Sequence, residues 1–313
     1  MDLRQLRYFI AVVEAGSFSK AALQRNVVQS ALSQQIAALE SELGRSLLIR
    51  SNQGISATRA GELFYQQAQH ILRLVEHTRS AMISFDDEPT GSVAIGFPTS
   101  TSATLSVPFM DACLTRYPKI ELRITEGLSR NIHQDLNSGV IDIAILFSGQ
   151  PTYGFRTRPL LTEELFLVKC ADEHRCNTGI GTMSRRELAE MALLLPERGN
   201  GLRDLVDQLF HSIGIESRPR VELGSLRTML EAVKEGYGTT ILPWGAFSRE
   251  YAQGSVSAYR IEEISMPRTL MLCTSGALPV SDAARIVSDL VQEVIRELVN
   301  DGYWREVYLR NES

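Results

Sequence analysis

Gln29, Ser30, Ser33 and Gln34 stand close together, and none of them has an apolar task. At this spacing on a helix, amide and hydroxyl side chains can meet base edges, and Gln pairs bidentately with adenine. Cations close both ends of the stretch from Arg50 to Arg59, with Asn52 and Gly54 at an expected turn. A hairpin lying along phosphate would use Arg50 and Arg59 in this way. A different chemistry is suggested by Pro98-Thr99-Ser100-Thr101-Ser102. Hydroxyls and free backbone N–H groups at the start of a helix suit an anion such as a carboxylate; plain capping by one hydroxyl is the alternative. Arg130, in Ser129-Arg130-Asn131, could hold a carboxylate bidentately or stay solvated.

Other chemistry is thin. Cys170 and Cys176 with His174 between them do not have a standard zinc spacing, so this segment is read as a surface loop ahead of a metal site or a redox pair. Gly199-Asn200-Gly201 and Gly236-Tyr237-Gly238 lack the third glycine of a dinucleotide fingerprint. His133 and His211 stand alone and are expected at the surface or at a cap. No Gly-x-Ser-x-Gly or Walker motif occurs. The expectation is no catalytic residue, no metal and no cofactor.

The elements that must position these residues follow from periodicity. Leu32, Ile36, Leu39 and Leu43 form one stripe of a helix that begins near Gln29 or Ser30 and stops at Gly44. Ser19 is the expected N-cap of the preceding short helix, and Asn26-Val27-Val28 the turn between the two. Leu6, Phe9, Ile10 and Val13 on a first helix complete a small core. The whole reads as a winged helix-turn-helix. From Thr58 to about residue 88, Phe64, Ala68, Ile71, Val75, Thr78 and Met82 repeat at coiled-coil spacing, which suits pairing with a second copy. Asp86-Asp87-Glu88-Pro89-Thr90-Gly91 reads as a hinge. Beyond it, strand-like and helix-like segments alternate, the pattern of α/β domains.

The chain resembles the LysR-type transcriptional regulators. The matching elements are Leu3-Arg4-Gln5-Leu6-Arg7-Tyr8-Phe9, Gly16-Ser17-Phe18-Ser19-Lys20-Ala21-Ala22, Gln29-Ser30-Ala31-Leu32-Ser33-Gln34-Gln35-Ile36, Leu39-Glu40-Ser41-Glu42-Leu43-Gly44, Leu47-Leu48-Ile49-Arg50 and Thr58-Arg59-Ala60-Gly61. Within that family it is most similar to the nitrogen-assimilation and cyanate regulators. Two departures stand out: Ser30 where the family usually has proline, and Gln53 where it often has a basic residue. Later landmarks, Tyr117-Pro118, Gly139-Val140-Ile141-Asp142-Ile143-Ala144, Glu163-Glu164-Leu165 and Gly236-Tyr237-Gly238-Thr239-Thr240-Ile241-Leu242-Pro243, resemble the family's effector-binding half.

The resemblance implies an all-α winged helix-turn-helix over 1–58, a dimerising linker helix over 59–88 and an effector-binding domain over 89–313. That last domain would be an α/β, periplasmic-binding-protein-like fold of two subdomains, one holding about 92–161 and 268–296 and the other about 162–267. A small molecule would sit in the cleft between them. Thr99, Ser100 and Thr101 are then the first candidates to touch it, with Ser129 and Arg130, and with Arg198 and Thr228 facing them from the other side. Peroxide-sensing members carry a reactive cysteine where Gly199 to Asp204 stands here, and this chain has none there.

Charge follows the same division. Residues 1–61 hold seven Lys/Arg and four Asp/Glu, a net +3, while the rest carries −8. That is the sign expected if only the N-terminal module meets phosphate. Four scattered cysteines, no long apolar run and no export signal fit a cytoplasmic protein. The expected partners are double-stranded DNA, a small-molecule effector of anionic character, and a second copy or a tetramer, with RNA polymerase kept open. Two other classes stand beside this: a constitutive regulator with a non-functional cleft, and a metabolite-converting α/β protein carrying a DNA-binding module. The aromatic tail, Tyr303-Trp304-Arg305-Glu306-Val307-Tyr308, could cover its own domain or a partner's.

Overall fold

Asp2 and Gln5 start the first helix, α1 (Leu3–Ala15), with a reciprocal pair of hydrogen bonds. The Asp2 carboxylate accepts the Gln5 N–H at 2.8 Å, and the Gln5 side chain accepts the Asp2 N–H at 2.9 Å. The computed structural model describes residues 1–51, 54–83, 89–149, 152–171, 179–277 and 279–310. The Gln53 position, the acidic half of the expected hinge, His174 and Cys176 therefore lie outside the described residues, as does the side chain of Met82. The elements fall into two compact units, one N-terminal and one C-terminal, described in turn.

In the N-terminal unit, Ser17 rather than Ser19 caps α2 (Phe18–Gln24), its hydroxyl accepting the Lys20 N–H. The reason is Phe18, which enters the core from the helix's first position and starts the helix earlier than the polar pattern suggests. Asn26 takes a left-handed conformation in the following turn. Next comes α3 (Gln29–Leu43), closed by Gly44 at φ 64°. Its Leu32, Ile36 and Leu39 are fully buried; Leu43, expected on the same stripe, is 39% exposed because it lies beyond the end of this small core. The wing is an antiparallel hairpin of β1 (Leu48–Ser51) and β2 (Gly54–Ala57). Thr58 then accepts the Gly61 N–H and donates to the Ser46 carbonyl, both at 2.9 Å, fixing the start of α4 (Arg59–Ile83) against the wing.

At 1.5 Å per residue α4 is about 37 Å long. The first half of its stripe is not free: Phe64, Ala68 and Ile71 pack with Leu6 and Ile10 of α1. Phe9 meets Phe64 edge-on at 5.1 Å. Along the described helix, Leu63 and Leu74 are the exposed large apolar residues.

The C-terminal unit carries two hydrophobic cores. The first draws on β3 (Gly91–Pro98), α5 (Thr99–Arg116), β4 (Ile120–Gly127) and β5 (Ile143–Phe147), with α6 (Ser129–Asn137) between β4 and β5 in the chain. β3 pairs in parallel with both β4 and β5. The sixteen-residue β6 (Phe155–Cys170) then runs out of this core and into the second. Leu160 and Leu161 are buried in the first core, and Leu165 to Val168 in the second. The second core holds β7 (Gly181–Met183), α7 (Arg185–Ala189), β8 (Leu193–Pro196), α8 (Gly201–Ser212), β9 (Pro219–Leu223), α9 (Leu226–Lys234), β10 (Thr240–Pro243), α10 (Trp244–Ala252) and β11 (Val256–Ile261). The chain returns through β12 (Pro267–Ser275), antiparallel to the first half of β6, and α11 (Asp282–Asn300). Two strands, β6 and β12, thus cross between two α/β subdomains.

The tail covers its own domain. β13 (Val307–Leu309) pairs with β6 at Leu161–Glu163, and Trp304 is 1% exposed in the first core.

Candidate functional site

The first site is a face of α3. Gln29, Ser30 and Gln34 are exposed and Ser33 is half-buried, on the side away from Leu32, Ile36 and Leu39. The helix start has Val28 as its N-cap residue, without a side-chain cap bond, so the first-turn N–H groups are held by no side chain there. Arg50 is exposed on β1, and its guanidinium lies 4.7 Å above the Phe18 ring. That stacking fixes the direction of the cation at the base of the wing. Arg59 is exposed at the start of α4. Glu40 ties the two parts together: its carboxylate accepts the Leu47 N–H at 2.7 Å and the Leu48 N–H at 3.1 Å. The Ile55 N–H also donates to the Gly16 carbonyl at 3.0 Å, anchoring β2 to the end of α1.

The second site lies in the C-terminal unit, at the carboxyl ends of the parallel strands β3 and β4, where α5 and α6 begin. Open α/β sheets place ligands there. Two adjoining spaces occur. The smaller is lined by Thr99, Ser100, Ser129, Asn200 and Met229, among others, and holds about 30 Å³. That is room for water but not for an organic effector. The larger, of about 750 Å³, is lined by Ser129, Arg130, His133, Arg198, Asp207 and Arg268, among others, and is of the size that holds a metabolite.

Five of the seven expected residues line these spaces: Thr99 and Ser100 the smaller, Arg130 and Arg198 the larger, Ser129 both. Two do not. Thr101 is 1% exposed inside α5, with a hydroxyl that finds no hydrogen-bond partner. As the third residue of the helix it turns away from the pocket. Thr228 is exposed in the first turn of α9, where its N–H donates to the capping Ser225 hydroxyl; Leu226 and Met229 face the pocket instead.

Sequence reasoning missed the most deeply held cation. Arg268, at the start of β12, is 3% exposed and pairs with Glu163 of β6, which is 2% exposed. Its Nε donates to Glu163 Oε1 at 2.7 Å, and its Nη2 lies 2.6 Å from the same oxygen. Nη2 also donates to the Ser100 hydroxyl at 3.0 Å, and the guanidinium stacks 4.1 Å from the Phe147 ring centroid. The Trp304 indole N–H donates to Glu163 Oε2 at 3.2 Å. Burial pulls the Arg268 pKa down while Glu163 pulls it up; a guanidinium so paired stays charged. The available signal was an arginine opening an apolar strand, since such a residue needs a carboxylate. The partner lies 105 positions away. His133 does not stand alone: its ring meets Phe155 edge-on at 5.0 Å, and it lines the larger cavity. Among the described residues, no group of three or more His, Cys, Asp or Glu is arranged to hold a metal ion. No described helix is long and apolar enough to cross a membrane.

A helix-turn-helix unit with a wing, carried with a two-subdomain α/β unit that encloses a ligand-sized cavity, defines a DNA-binding regulator with an effector domain. Comparison with known proteins gives the same class. Residues 3–62 match the bacterial regulatory helix-turn-helix protein, lysR family, and residues 86–296 the LysR substrate binding domain. The chain belongs to the LysR family of transcriptional regulators, and it is not an enzyme. It is similar to the nitrogen assimilation regulatory protein nac of Escherichia coli, 32% identical over 94% of this chain and 95% of that protein. The fold is that of a full-length OxyR variant from Pseudomonas aeruginosa, with a TM-score of 0.75 at 23% identity over 100% of this chain and 99% of that one. It is also that of full-length CbnR in complex with its target DNA, with a TM-score of 0.66 at 23% identity over 95% and 99%.

Proposed function

We propose that this regulator reads DNA sequence with Gln29, Ser30, Ser33 and Gln34 and holds phosphate with Arg50 and Arg59. The observation that carries this is the polar, exposed face of α3 opposite a fully buried stripe, with Arg50 stacked beside it on the wing. Recognition helices enter the major groove with their first turns, and flanking cations track the backbone. The CbnR relative was solved on its target DNA, which supports the same use of this module.

The domain limits that fit this reading are 1–58 for the reader, 59–88 for a linker helix and 89–313 for the effector half, in a cytoplasmic protein. α4 pairs with its copy in a second subunit. Leu63 and Leu74, eleven residues apart and therefore on one face, supply the contact in place of the engaged Phe64, Ala68 and Ile71. The effector is a small anion in the larger cavity, within reach of Ser129, Arg130 and Arg198 and next to Thr99 and Ser100. Its binding favours one orientation of the two subdomains and so one oligomer geometry on DNA, and RNA polymerase is the downstream partner.

The test is selection of genome fragments by the purified full chain at a stated, near-physiological salt, followed by footprinting. The expected result is a palindromic site whose half-sites lie about 34 Å apart or a multiple of it. Binding that is sequence-blind and wholly salt-sensitive, with and without a metabolite panel, would overturn the assignment of bases to α3.

A further inference from the structure

Two polar groups at the larger cavity are buried and unpartnered. Ser129, 2% exposed at the start of α6, has a hydroxyl with no hydrogen-bond partner. Arg268 Nη1 is likewise buried without a partner, although Nε and Nη2 of the same guanidinium are both occupied. Leaving a charged N–H and a hydroxyl unsatisfied in a protein interior is costly. Both residues line the same cavity of about 750 Å³. Two further guanidinium-bearing residues, Arg130 and Arg198, line it and are exposed. Of its two acids, Asp207 is already paired with Arg203, whose single Nε–H is shared between both carboxylate oxygens at 2.8 Å. Asp204 is exposed on α8.

We propose that this cavity takes a small organic acid with two carboxylates, and that Arg268 Nη1 and the Ser129 hydroxyl grip its inner carboxylate. The outer carboxylate meets Arg130 and Arg198. This rests on the reading of the C-terminal half as an anion-binding effector domain, and it adds the residue that decides which anions bind. A guanidinium held at Nε by Glu163 is already oriented, so its remaining N–H group binds without further ordering. Arg268 also bonds Ser100 and shares Glu163 with Trp304. A ligand on Nη1 therefore touches a network that includes both crossing strands and the tail. The space is too large for a single carboxylate, and the exposed arginines give the second one its partner.

The experiment is thermal unfolding of the full chain with malonate, succinate or glutarate, against acetate and chloride at matched ionic strength. Arg268→Lys keeps a cation for Glu163 but has no second nitrogen for the cavity, and Ser129→Ala removes the other donor without disturbing the ion pair. The expected result is a saturable rise in melting temperature with at least one diacid and little with acetate. The concentration for half of that rise should increase on the order of tenfold in each variant. If Arg268 were merely structural, Arg268→Lys would lower the melting temperature without ligand but leave the ligand-induced rise at the same concentration. That outcome, with Ser129→Ala also unaffected, overturns the inference and leaves the anion reading standing. If no diacid raises the melting temperature of the unaltered chain, the acidic effector itself is overturned and the inference with it.

Discussion

Glu40 on α3 accepts the Leu47 backbone N–H at 2.7 Å, and this bond ties the start of the wing to that helix. The same oxygen takes the Leu48 N–H at 3.1 Å, so the first residues of the hairpin are held by one carboxylate. Arg50 follows two residues later on the same strand. Glu40→Ala should therefore cost about 1–3 kcal/mol of local stability, the cost of leaving buried donors unpaired. It should also weaken DNA binding for all sequences, because it displaces Arg50, the residue proposed above to hold phosphate. Glu40→Gln keeps an acceptor and should recover most of the loss. Hydrogen exchange at Leu47 and Leu48 together with a binding isotherm would check this. Unchanged protection in the Ala variant would remove Glu40 from the positioning role.

Gln34 and Arg50 should fail in different ways. Gln34→Ala removes a bidentate donor–acceptor pair from the exposed face of α3. It should cost on the order of 1–3 kcal/mol and relax preference at one base. Arg50→Ala should weaken all sequences alike and reduce the salt slope by about 1. Arg50→Lys keeps the charge but loses the flat stack on Phe18, so it should fall between the two in affinity with the slope intact. Isotherms at several salt concentrations, on the selected site and on scrambled DNA, separate these outcomes. A sequence-specific defect in Arg50→Ala would contradict the phosphate assignment.

The parts that were legible in the sequence are those governed by local spacing. Leu32, Ile36 and Leu39 announce a helix face because burial follows the 3.6-residue period, and Gly44 announces its end because the left-handed turn favours glycine. Ser17 was missed as a cap because nothing local says that Phe18 points into the core. The stripe on α4 was legible as apolar, but not its partner. Phe64 and Ala68 face Leu6 and Ile10 of their own unit, and a periodic pattern looks the same whichever surface covers it. Thr101 was chosen from a hydroxyl-rich stretch and Thr228 from the family resemblance; helix phase turns the first inward and leaves the second exposed. Arg268 and Glu163 were the hardest, since nothing local pairs them until the fold brings β6 beside β12.

A side chain at Gly199 should have two separable effects, backbone strain and a displaced Arg130 guanidinium. The Gly199 φ is +89°, a conformation that L-residues seldom adopt, and a Cβ there would lie 1.9 Å from Arg130 Nη2. Gly214 has φ +74° but open space around it, so Gly214→Ala measures strain alone. Backbone strain of this kind costs about 1 kcal/mol or more. Gly199→Ala should add to that a displaced Arg130, seen as a weakened ligand response with any anion that acts on the unaltered chain. Equal behaviour of the two variants in ligand titrations would show that Arg130 has no part in the cavity.

The thiols give the last test, because a LysR-type chain can be asked directly whether oxidation controls it. Gly199 to Asp204 contains no cysteine and instead forms the capped start of α8, where the Asn200 side chain accepts the Leu202 N–H at 2.9 Å. Cys113 and Cys273 are fully buried; burial raises the pKa of both, that of Cys273 to about 12. Neither supplies the thiolate that peroxide attacks at neutral pH. A thiol whose proton is held more tightly in the folded chain stabilises it below the free thiol's pKa. That contribution fades as pH rises from about 8.5 towards the folded value of about 12. Cys113 and Cys273 should therefore resist a thiol reagent at pH 8 until the chain unfolds. Cys273→Ser should lessen the loss of stability above pH 9. Brief peroxide treatment should leave operator affinity unchanged. If affinity does shift, Cys170→Ser decides the source: its half-buried Sγ donates to the Lys234 carbonyl at 2.9 Å, and abolition of the shift in that variant would make Cys170 the sensor.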